Sequence, residues 1–316
     1  MGKPSNYASI DPASEHAQHM PSHIFKRLGL WDESIRTNLI SIEASKYYAE
    51  NTGIKGHWDE ELHGIDYLVY AYLQKAGLDS AKGQWEYLKT IHAVYPMNFK
   101  AAYTFAAIAA RYLLENKRWK EAAGLELYPV DFPWKKFPWQ RAINHFTRLL
   151  GAVHIGSIDS ARTELKKLRV IYDTLVKEKD FYKSNLIEIQ IKASMAWILF
   201  KEGKNNKALK LMQSATDMEE VTEKIPVTPG EVIPARELLG EMFMQMDQFS
   251  EALEIYQEDL RRHPNRFNGL YGAGLAGEKS GFKEQAGYYY RQLSSICAIH
   301  SNRPELTAAR HFLNPP

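Results

Sequence analysis

The sequence predicts an all-α protein, an α-α superhelix built from about seven helical hairpins. Two observations point there. A helix-packing position, small in five of seven cases, recurs at intervals of 34 to 47 residues, each time followed about twelve residues later by a small residue. Strand signals are scarce, with no alternating apolar–polar run of useful length. Repetition at such intervals marks stacked supersecondary units, each burying its apolar face on its neighbours.

The repeat is clearest near the C-terminus. From Ala235 the chain reads ARELLGEMFMQMDQFSEALEIYQEDLRRHP, and Phe243, Ala252, Tyr256 and Pro264 follow Gly240 by 3, 12, 16 and 24 residues. A shift of 34 residues returns Gly274, Gly277, Ala286 and Tyr290. Gly240 and Gly274 let the first helix approach the second, Ala252 and Ala286 do the same from the second helix, and a large residue fills the space between. The template also fits Ala196–Ala208, Leu149–Ala161, Ala110–Ala122 (with a short second helix), Val69–Ala81 and Ser22–Ser34. Centred at 22, 69, 110, 149, 196, 240 and 274, the units make seven hairpins, about fourteen helices, each expected to contact only its neighbours.

The expected organisation is a tail over 1–13, hairpins one to three over 14–126, an insert at 127–140, hairpins four and five over 141–214, a loop at 215–234, hairpins six and seven over 235–298, and a tail over 299–316. The first insert, LYPVDFPWKKFPWQ, has prolines at 129, 133 and 138 that forbid a continuous helix. Its aromatics either fill a gap between uneven repeats or cover a groove. The second interruption is acidic and then proline-rich, ending VTPGEVIP.

Composition bounds the function. With 40 Lys+Arg against 38 Asp+Glu the net charge is +2, which disfavours nucleic acid as a partner. No run of 18 apolar residues exists, so no membrane span is expected. The single cysteine, Cys297, rules out an intramolecular disulfide, and residues 1–14 hold no apolar signal segment; both fit a cytoplasmic protein. Nucleotide-binding and hydrolase motifs (GxGxxG, the P-loop, GxSxG) are absent.

The 34-residue pattern resembles the tetratricopeptide-repeat (TPR) superfamily. The resemblance is specific over Ala235 to Ile296 and looser back to Ser14. The stretch HAQHMPSHIFKRLGLWDESIRTN followed by DEELHGIDYLVYAYLQ is also similar to a group of uncharacterised bacterial TPR proteins. The resemblance implies a right-handed superhelix whose concave face, lined by the first helices, binds a peptide or partner protein. It implies no cofactor and no catalytic residue. The Lys, Asn and Arg clamp by which some members hold a chain-terminal carboxylate is missing from the groove positions. Those positions give instead an apolar and aromatic middle, with His16, His19, His23, His63, Asp66, Tyr67, Tyr70, Arg111, Phe146 and Trp197 expected to line the ligand groove. For Trp197 and Phe146, plain core packing is the competing use. A homodimer through an exposed end hairpin stays open.

An alternative reading rests on histidines. His16, His19 and His23 are spaced i, i+3, i+7, which shares one face of a continuous helix. His63 falls at the corresponding place of the next hairpin. Two imidazoles one turn apart and a third from an adjacent helix make a divalent metal site, His19, His23 and His63, with Glu60 or Asp66 as orienting group or base. Pro21 lies between His19 and His23 and sets two outcomes. Either the helix passes through it, with or without a kink, or it begins there and the shared face is lost. Hydrogen bonding of these rings to backbone or to Tyr67, Tyr70 and Tyr72 is the bland counterpart.

Overall fold

The computed structural model describes residues 14–223, 227–297 and 301–315; the expected tail over 1–13 lies outside them. Among the described residues fifteen helices run in chain order: α1 Glu15–Leu28, α2 Trp31–Thr52, α3 Asp59–Gln74, α4 Leu78–Leu88, α5 Phe99–Glu115, α6 Trp119–Ala123, α7 Pro138–His154, α8 Ile158–Lys177, α9 Phe181–Lys201, α10 Asn205–Val221, α11 Ala235–Gln245, α12 Phe249–Arg262, α13 Phe267–Lys279, α14 Lys283–Ile296 and α15 Pro304–Leu313. The first fourteen form the seven expected hairpins, and the short second helix of the third is α6. The all-α class of helical hairpins holds. Two two-residue strands, β1 His57–Trp58 and β2 Val94–Tyr95, pair in parallel beside α3.

Local chemistry sets the element ends. Ser14 caps α1 by accepting from the Ala17 amide, and Gly29 ends it in the left-handed conformation at φ +66°. Pro21 lies inside α1, which continues through it, so the helix starts at Glu15 and the histidine face survives. Pro138 and Pro304 open α7 and α15 in the first turn, where a missing N–H costs nothing. The 127–140 insert therefore holds one 3₁₀ turn, Trp134–Lys136, and the start of α7. Of the 215–234 loop, the first seven residues complete α10. The stretch expected as a C-terminal tail carries α15, whose Leu306 and Ala309 are buried one turn apart. The small-residue logic is visible in α13: a Cβ on Gly274 would lie 2.5 Å from the Tyr290 ring.

The chain divides into two compact units. Unit 1 comprises 1–104, 226–230 and 249–316; unit 2 comprises 105–225 and 231–248. Unit 1 corrects the expectation that each hairpin meets only its sequence neighbours, because the first two hairpins pack on the last two. The Trp31 indole Nε1 donates to the Asn265 carbonyl at 2.7 Å, and Asn265 Nδ2 donates to the Gly29 carbonyl at 3.2 Å. Gln74 Oε1 accepts from the Phe267 amide at 2.9 Å, and Ser301 Oγ donates to the Ala76 carbonyl at 2.9 Å. Ala76 joins Phe267, Leu270, Tyr290 and Leu306 in one buried apolar cluster. In unit 2, α7 and α9 each pack on α8, α9 also packs on α10, and Phe132 of the insert packs on Phe105 of α5. Among the described residues no helix is long and apolar enough to cross a membrane.

Candidate functional site

His19, His23 and His63 converge in unit 1. Each offers a ring nitrogen, and these three atoms lie within 4.8 Å of one another. His19 and His23 sit one turn apart on α1, and His63 comes from α3, which packs across it. Ring centroids are 4.3 Å apart for His19 and His63, 4.8 Å for His19 and His23, and 6.1 Å for His23 and His63. Tyr67, one turn beyond His63, sets its ring edge-on to all three at 4.8, 5.0 and 5.4 Å. His19 is 2% and His63 8% exposed, whereas His23 is half-buried. His16 is exposed and stays outside the cluster.

The hydrogen bonds fix the His19 tautomer. Asn38 of α2 gives its amide nitrogen to the Ser34 carbonyl at 2.7 Å, which leaves its Oδ1 facing His19 Nδ1 at 2.8 Å. An amide oxygen only accepts, so Nδ1 carries the proton and Nε2 holds a lone pair. That Nε2 is buried with no hydrogen-bond partner among the described residues. His23 Nδ1 lies 2.8 Å from the Tyr67 hydroxyl, which either donates to it or accepts from it.

Electrostatics keep the rings neutral. Burial lowers His19 to about 3 and His23 to about 4, with neighbouring imidazoles adding to the fall. Burial also holds His63 well below the usual histidine range. Beside the rings, Lys100 is ion-paired with Asp59 and Glu60, so Glu60 is engaged by a lysine and is not among the converging nitrogens. Asp66 is 1% exposed and likewise outside the cluster. Glu15, one turn before His19, is pushed up to about 8 by burial and by the Glu60 carboxylate. Asn38, Glu15 and Lys100 were not legible from spacing. Only the i, i+4 relation of Glu15 to His19 carried any signal.

Residues 235–266, which form α11, α12 and the following turn, match the tetratricopeptide repeat family. Among solved structures the chain is similar to a tetratricopeptide repeat protein from Parabacteroides merdae (10% identity, 95% of this chain and 97% of that one, TM-score 0.44). It is also similar to yeast Tom70 (12% identity, 98% and 67%, TM-score 0.43) and to the TPR domain of P58(IPK) (14% identity, 98% and 82%, TM-score 0.32). No curated protein matches it in sequence.

The remaining residues expected to line a groove are distributed differently. Tyr70 is 3% exposed, and its hydroxyl accepts from Arg266 Nη1 at 2.8 Å, joining the second hairpin to the last. Arg111, Phe146 and Trp197 belong to unit 2 and are 0, 3 and 0% exposed, so none presents an open surface. Trp197 meets His154 at 4.6 Å, and His154 stacks on Trp119 at 3.8 Å and 14°. Along α9, Gln190, Ser194 and Trp197 stand at i, i+4, i+7. Gln190 Oε1, Ser194 Oγ and Trp197 Nε1 are all buried without a hydrogen-bond partner among the described residues. The row runs from half-buried Gln190 to exposed Lys201, whose ammonium lies 5.9 Å from the Trp197 ring centroid. Close by, Glu241 is raised by burial but lowered more by Lys117 and His154, which leaves it at about 2.

Proposed function

We propose that this chain is a TPR-type scaffold that holds a partner polypeptide along α9 of unit 2. The observation that carries the reading is the row on α9. A buried polar atom without a partner costs about 1–3 kcal/mol. Three on one helix face form a ladder of unmet demand: an acceptor at Gln190, a hydroxyl at Ser194 and an indole N–H at Trp197. An extended polypeptide that displaces the side chains now covering Ser194 and Trp197 answers it, because its backbone offers carbonyls and amides in alternation. Seven helical residues rise about 10.5 Å, roughly the length of three extended residues. Exposed Lys201 at the end of the row favours an acidic residue in the partner.

The test is selection of peptides from a random library on the full chain, followed by calorimetry of the selected sequence. Ser194→Ala and Trp197→Phe are expected to weaken binding about tenfold each, one unmade hydrogen bond apiece, with unchanged helicity. Unchanged affinity in both variants removes the assignment of α9. A library that yields no binder removes the reading.

A further inference from the structure

We propose that His19, His23 and His63 bind one divalent transition-metal ion of the zinc class, tying α1 to α3. The proposal concerns unit 1 and stands apart from the scaffold reading, which rests on α9. Geometry comes first. Zinc holds imidazole nitrogens at about 2.0–2.1 Å, so tetrahedral ligands lie roughly 3.4 Å apart. The three nitrogens already lie within 4.8 Å of one another, so a shift of about 1.4 Å or less closes the site. His23, the half-buried member, has room to make it.

The second argument is the lone pair. The Asn38 contact forces the His19 proton onto Nδ1 and leaves Nε2 as an acceptor, buried and unpartnered. Metal-bound histidines are oriented in this manner, by a hydrogen bond from the ring's other N–H. The Tyr67 hydroxyl, 2.8 Å from His23 Nδ1, is able to accept that ring's proton in the same way. Three imidazoles without thiolate select zinc, copper(II), nickel or cobalt over magnesium or calcium. Three protein ligands leave the fourth position for water or a ligand atom, the pattern of an open site.

The experiment uses the full chain without an affinity tag, stripped with chelator and dialysed. Zinc chloride is titrated by calorimetry, cobalt chloride by visible absorption, and melting is followed with and without zinc. One zinc per chain, tetrahedral cobalt bands and a raised Tm are expected. His23→Ala and His63→Ala are expected to lose affinity at least about 100-fold, and Asn38→Ala about 10–100-fold, while His16→Ala, outside the cluster, keeps wild-type affinity. Failure of the wild-type chain to bind zinc, cobalt or copper overturns the proposal whatever the variants do. So does binding that survives in a folded His19→Ala, His63→Ala double variant.

Discussion

Replacing Gly29 with alanine tests the packing of the first hairpin on the last. Gly29 sits at φ +66°, and a Cβ there would lie 2.3 Å from the Pro264 carbonyl oxygen and 2.8 Å from the Asn265 Cβ. The neighbour is backbone, so relief needs a shift of about 1 Å in a close-packed contact. Such a shift breaks the Trp31–Asn265 and Asn265–Gly29 hydrogen bonds, which span more than 230 residues of sequence. The left-handed backbone costs an alanine about 1–2 kcal/mol and the two bonds about 1 kcal/mol each, giving about 3–4 kcal/mol. Gly53 is the internal control. It ends α2 at φ +72° with nothing within 4 Å of the place a methyl group would take, so Gly53→Ala carries the backbone strain alone, about 1–2 kcal/mol. Urea denaturation followed by far-ultraviolet circular dichroism gives both values from the midpoints and slopes. Equal losses in the two variants would refute the contact.

Other outcomes follow from the same unit. In metal-free protein, the unfolded chain takes up protons on His19, His23 and His63 below pH 6.5 while the folded chain does not, His23 until about pH 4 and His19 until about pH 3. The depressed folded values give stability that is complete above pH 6.5 and lost as pH falls. Three protons set a slope of about 4 kcal/mol per pH unit at its steepest. A His19→Gln, His63→Gln variant should lose about 2.7 kcal/mol per pH unit of slope, two protons' worth, in urea melts at pH 7, 6 and 5; an unchanged slope contradicts the burial assigned to the rings. Glu15 has the opposite sign. Its raised folded value favours the fold below pH 4.5, and that advantage is lost as pH rises through about 8. Glu15→Gln should therefore raise Tm more at pH 8 than at pH 5, and an equal effect at both argues against the shift. Arg266→Met should cost about 1.5–3 kcal/mol, and a double-mutant cycle with Tyr70→Phe should return a positive coupling; zero coupling means their contact at 2.8 Å contributes nothing.

Much of this fold is written in local spacing. Gly274, Gly277 and Ala286 announce close helix contact, and α13 meets α14 at those residues. The i, i+4 relation of His19 and His23, with His63 one hairpin on, places three rings near one point on spacing alone. What was hidden is of another kind. Asn38 meets His19 from the second helix of the hairpin, at a separation no helical period encodes. The contact of Gly29 with Pro264 joins segments that periodicity treats as opposite ends of an array. Tyr70 reads as a groove residue because its register is right, yet that same face is occupied by Arg266. A repeat pattern states which face a residue shares and is silent on what comes to cover it.

The pairing of the first hairpins with the last has a consequence in time. A chain made from its N-terminus completes Trp31 and Tyr70 long before Asn265 and Arg266 exist to cover them. At about 5–20 residues per second, the intervening stretch takes roughly 10–50 s to synthesise. Through that interval the apolar surface around Trp31, Tyr70 and Ala71 awaits its partner Ile296. Unit 1 is thus finished only after Ile296 has been made, and the histidine cluster belongs to the part that waits.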